Sequence, residues 1–185
     1  MKLSAYKRQG KNKGEKNKIR RDGDIPAVLY GPKFPNENIF LKGPEVNEIL
    51  RTITPGTLGS TVFSLELDGK TREVIVKDIQ YNITTYDPIH FDFEVVEKDI
   101  PVNVNVPIKL ANAVDCQGVK LGGVLRAVIR QLKVRCLPKN IPSMFELDVK
   151  NLVIGQSLRL SDITLPENVT PIAQMEEVAV VVAKR

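Results

Sequence analysis

His90 and Asp92 stand two residues apart in the stretch I-H-F-D-F at 89–93. On an extended strand that spacing sets an imidazole and a carboxylate on one face. Hydrolysis by such a pair would also need a nucleophile or a metal ion, and neither stands at a recognisable spacing. Contacts to RNA sugar hydroxyls and base edges suit the pair better; a solvent-facing pair is the plain alternative. Cys116 and Cys136 form no C-x-x-C motif and lie far in sequence from the single histidine. A zinc site of about four closely spaced ligands is therefore rejected, and the cysteines are read as small apolar residues in a reducing cytosol. The glycine-rich stretch Gly118-Val119-Lys120-Leu121-Gly122-Gly123 fits neither the P-loop nor the dinucleotide spacing, so a β-turn or bulge loop is expected there.

Arg20-Arg21, followed by Asp22-Gly23-Asp24, closes the most charged part of the chain. Residues 1–33 hold ten Lys/Arg against three acids, a net +7, while the remaining 152 residues hold seventeen against nineteen, a net −2. A cationic patch on a mildly anionic body points to a polyanionic partner. A solvated basic tail is the competing reading, but arginines at an element boundary beside an apolar strand can be held in place, and fixed guanidinium forks bridge phosphates and purine edges. Tyr30 ends that strand before Gly31-Pro32; it is either a core tyrosine with a surface hydroxyl or a group that stacks on a base. A membrane partner is not expected, because residues 7–18 lack bulky apolar side chains. The longest purely apolar run is Val178–Ala183, and with no apolar h-region after the start a secretory signal is not expected. A cytoplasmic protein is expected, with no cofactor and no small-molecule substrate.

The elements that must position these groups are mainly strands. Leu3–Tyr6 reads as a short strand, polar residues 10–18 as a short helix or helical turn leading into the arginines, and Ile25–Tyr30 as an apolar strand. Residues 44–53 predict a helix: Pro44 suits its first position, and Val46, Ile49, Leu50 and Ile53 recur at helical spacing. Phe63, Leu65 and Leu67 alternate with polar residues, Asp68-Gly69 marks a hairpin, and Val74, Val76 and Ile79 continue the return strand. Past residue 97 the alternation becomes strict around 102–106, 132–136 and 145–149, and 178–182 is a closing apolar strand. The pattern predicts a mainly β chain with minor α: a mixed unit over 1–97 and a largely antiparallel β domain over 98–185.

Taken together, six segments resemble the Ctc-type (general stress) family of bacterial large-subunit ribosomal proteins that bind 5S ribosomal RNA. They are I-R-R-D-G-D-I-P-A-V-L-Y-G at 19–31, V-K-D-I-Q at 76–80, I-H-F-D-F at 89–93, G-V-K-L-G-G-V-L at 118–125, N-I-P at 140–142 with E-L-D-V at 146–149, and I-G-Q-S-L at 154–158. The resemblance implies an N-terminal β-barrel with helices that grips 5S RNA, joined to the C-terminal β domain of the family's long form. It implies RNA contacts from Arg8, Arg20, Arg21, Tyr30, His90 and Asp92, with Lys13, Lys16 and Gln80 as further transfers. Asp24 stands where the family often has a basic residue. The implied partners are 5S rRNA, the large ribosomal subunit and neighbouring ribosomal proteins. One rival is a stress-induced, ribosome-associated adaptor or chaperone acting through the C-terminal domain. The other is an RNA-processing enzyme, for which no catalytic constellation is in view.

Overall fold

Alternating apolar residues wind the first part of the chain into a closed barrel. The computed structural model describes residues 1–8 and 12–184; Gly10 and Lys11, from the predicted polar stretch, lie outside them. The staves are β1 (Lys2–Lys7), β2 (Ile25–Gly31), β3 (Phe34–Leu41), β4 (Val62–Leu67), β5 (Lys70–Tyr81) and β6 (Pro88–Val95). Their order is β1-β3-β2-β6-β5-β4, and a parallel pairing of β1 with β4 closes the ring. The β2–β6 pair is also parallel, and the other neighbours are antiparallel. Closure leaves no strand edge unpaired, which removes a template for aggregation.

Inward positions fill the barrel. Phe63, Phe93 and Leu65 are fully buried, with Leu29, Ile39 and Leu41 beside them. Fully burying each such side chain contributes about 1.5–3 kcal/mol. Two helices flank the barrel, α1 (Lys13–Arg21) and α2 (Gly43–Thr52). Val46 of α2 is buried in the barrel core, with Ile49 and Leu50 packed against it, as the sequence spacing predicts. Strand β3 has no counterpart in the sequence reading. Pro35, Asn36, Glu37 and Asn38 dilute its pattern, and its pairing to both β1 and β2 makes it a strand all the same.

Contacts divide the chain into two units, Met1–Ile100 and Pro101–Arg185. The second contains β7 (Val102–Ala111), β8 (Val124–Ala127), β9 (Gln131–Cys136), β10 (Phe145–Asp148), β11 (Ser157–Arg159), β12 (Val169–Pro171) and β13 (Val178–Ala183). One sheet runs β10-β7-β9-β12 and another β11-β13-β8. All its pairings are antiparallel except β7 with β10. The alternation read from sequence is the burial pattern: Val102, Val104, Val106, Leu132 and Val134 point inward. The glycine-rich stretch differs from expectation. It opens in a short helix, α3 (Gln117–Lys120), before a turn. Gly118 and Gly123 serve close packing, for a Cβ on Gly118 would stand 2.7 Å from Val182 Cγ1 and 3.0 Å from the Leu152 carbonyl oxygen, whereas Gly122 serves the turn with φ +88°. Both cysteines are buried and free. Among the described residues, no helix is long and apolar enough to cross a membrane.

Candidate nucleic-acid interface

Helix α1 buries none of its residues. An isolated helix of nine residues is marginal in water, so its ends and anchors matter. Lys18, Arg20 and Arg21 in the last turn complement the negative end of the helix dipole. The Asp22-Gly23-Asp24 turn is its C-terminal cap. Gly23 adopts φ +80°, its N–H donates to the Arg20 carbonyl at 3.2 Å, and the Asp24 N–H donates to the Ile19 carbonyl at 3.0 Å. The decisive anchor is Arg20. Its Nε and Nη2 donate to the Ile89 carbonyl at 3.3 and 3.2 Å, tying the end of α1 to β6 one residue before His90.

On β6, His90, Asp92 and Glu94 alternate with the buried Phe91, Phe93 and Val95. A register shift in β5 between Val76 and Asp78 makes Lys77 an extra residue, a β-bulge. Beyond it Gln80 stands opposite His90 and Asp78 opposite Asp92. On the other side β2 sets Tyr30 opposite Glu94. His90 Nδ1 lies 2.8 Å from Asp92 Oδ1, a contact that becomes an ion pair when the imidazole is protonated. It is short but not aligned as a hydrogen bond, and we read it as two groups held side by side. Lys77 answers Glu94 at 2.6 Å. Burial, and then the carboxylates of Asp92, Glu94 and Asp78, raise the Tyr30 phenol above its ordinary pKa, so it stays a hydrogen-bond donor.

The barrel wall thus brings Tyr30, Gln80, His90 and Asp92 together, with Arg20 clamped beside them. Lys13, Lys16 and Arg21 are exposed on α1, and Arg21 Nε donates to the Asn17 carbonyl at 3.4 Å. Arg8 differs from the rest. It is only 7% exposed, and its Nη2 donates to Asn38 Oδ1 at 3.0 Å. Its Nε and Nη1 are buried without an acceptor. Asp24 does not stand alone either, since Lys42 meets it at 2.8 Å. Sequence reasoning missed Tyr6 and Phe40, whose rings stack at 5.3 Å with Lys42 over both. Tyr6 is 45% exposed. An aromatic on the polar parity of β1 was the available signal, and it needed β3 to be recognised.

A barrel with a cationic flanking helix and a polar strand face, followed by a second β unit, defines a two-unit protein of the β class. Residues 3–93 match the profile of the Ribosomal L25p family, and residues 101–185 match that of the ribosomal protein TL5 C-terminal domain. Similar full-length relatives are named "Large ribosomal subunit protein bL25". That of Chlamydia muridarum is 47% identical, that of Chlamydia pneumoniae 45% and that of Chlamydia caviae 44%, each over all 185 residues of this chain and the whole relative. The chain belongs to the Ribosomal L25p family, with a TL5-type C-terminal domain: it is a structural ribosomal protein, not an enzyme.

Proposed function

We propose that this chain is a component of the large ribosomal subunit that binds 5S ribosomal RNA through its first unit, with residues 1–97 carrying the grip. It works in the cytoplasm, on the ribosome, and its other contacts there are neighbouring ribosomal proteins. The observation that carries the reading is the Arg20 clamp on Ile89, which sets a cationic helix beside the His90–Asp92 face. An RNA helix offers a wide, shallow minor groove lined with 2′-hydroxyls. Lys13, Lys16, Arg20 and Arg21 meet phosphates and set position. Tyr30, Gln80, His90 and Asp92 meet sugar and base edges and set specificity. Arg8 joins the contact by turning its buried guanidinium, whose Nε and Nη1 lack an acceptor, out toward the RNA. The adaptor or chaperone reading finds no support in the family relationships.

The test is a titration of the full chain against a 5S transcript at increasing salt. Each neutralised phosphate releases about 0.9 counterion on the B-DNA scale. Affinity should fall steeply and log-linearly with salt, and a flat profile would overturn the reading.

A further inference from the structure

The net −2 of residues 34–185 conceals a second cationic block. Residues 34–100 carry six Lys/Arg against twelve acids, and residues 101–185 carry eleven against seven, a net +4. The excess is concentrated at 116–145, which hold Lys120, Arg126, Arg130, Lys133, Arg135 and Lys139 and no Asp or Glu at all.

The fold puts part of this block on one face of a sheet. In β9 the buried Leu132, Val134 and Cys136 alternate with the exposed Gln131, Lys133 and Arg135. Lys133 stands opposite Asn105 of β7, and Arg135 opposite Asn103 of β7 and Thr170 of β12. Asn103, Asn105 and Thr170 are exposed and uncharged. Lys133 and Arg135 are therefore two like charges on one strand face, their Cα atoms about 6.6 Å apart at two residues' rise. Among the described residues no carboxylate pairs with either. The acids of this sheet, Glu146 and Asp148, stand on β10 across β7. Surface cations are commonly answered by a neighbour on the adjacent strand; here the neighbours are amides and a hydroxyl, which hydrogen-bond without cancelling the charge.

We propose that this face of the β10-β7-β9-β12 sheet is a second RNA-binding surface, taking the sugar-phosphate backbone of an RNA segment other than the one held by the barrel. The inference builds on the ribosomal RNA reading above. Lys133 and Arg135 neutralise phosphates, and the amides and hydroxyl around them donate to phosphate and sugar oxygens. The chain then bridges two RNA segments.

The test uses the full chain, immobilised and saturated with 5S transcript, then offered a labelled transcript of the large ribosomal RNA. The wild-type chain should retain the second RNA. Lys133→Gln/Arg135→Gln should lose it while holding 5S RNA unchanged, and the salt slope for the second RNA should become shallower by about 1.8, two phosphates' worth. Both residues are exposed, and an unaltered melting curve would show that the variant is folded. Equal retention by the variant, or none by the saturated wild-type chain, overturns the proposal. Should 5S RNA itself fail to bind, the reading of the first unit falls. The same comparison on the large RNA alone then still decides the second face.

Discussion

Arg20 is a structural residue, and the proposed function makes it a recognition residue too. Two of its nitrogens engage the Ile89 carbonyl, while the residue as a whole stays exposed. A lysine carries the charge but not the fork. Both Arg20→Ala and Arg20→Lys should weaken 5S binding by about 1–3 kcal/mol, the scale of a bidentate contact. Equilibrium titration checks this, and unchanged affinity in either variant removes the fork from the mechanism. A second residue-scale effect lies in the other unit. The Asp148 carboxyl is held below its usual pKa, first by the Asn112 side chain at 3.0 Å and then by the Lys150 N–H. A depressed carboxylate stabilises the fold above its unfolded pKa, about 3.9. That contribution is lost as pH falls through the lower folded value. Asn112 has φ 58°, so Asn112→Gly keeps the backbone and removes only the side-chain donor. NMR titration should then find Asp148 protonating at higher pH, closer to an ordinary aspartate.

At the scale of elements, the start of α2 is wedged against the turn that ends α1. A Cβ on Gly43 would overlap the Gly23 carbonyl oxygen, which is backbone and cannot swing aside. Gly43→Ala should destabilise the barrel by about 1–3 kcal/mol, the range for overpacking, read from denaturant melts. These elements were unequally legible in the sequence. Helix α2 announced itself through Val46, Ile49, Leu50 and Ile53, and the hairpin through Asp68-Gly69, because both signals are local. The bulge at Lys77 left a trace: Val74 and Val76 share one parity and Ile79 the other, although all three point to the same interior. Strand β3 left almost none, since partners on two sides rather than its own pattern make it a strand. Within the candidate site, His90, Asp92, Tyr30 and the arginine pair stood out by type and spacing. Gln80 rested on resemblance, and only the bulge brings it opposite His90. The burial of Arg8 was hidden, because Asn38, its partner, lies 30 residues away on the strand the sequence did not show.

At the scale of the whole molecule, the first unit has a core of its own. Among the described residues, the core cluster around Phe63 and Phe93 is built from the first unit. Phe93→Ala should cost about 3–5 kcal/mol. Hydrogen exchange should show the loss as faster opening of the strands between residues 25 and 95, with protection between 102 and 182 unchanged; equal acceleration in both would mean that the units open together. Charge is divided as well, a basic start and a basic second unit on either side of an acidic middle. The ring itself depends on a fragile piece. Its closing stave is β1, which pairs with β3 on one flank and β4 on the other. An exopeptidase that trimmed those few amino acids would remove a wall, not a tail. It would leave two bare rows of amides and carbonyls on an otherwise intact cylinder, inviting one trimmed copy to complete itself with another.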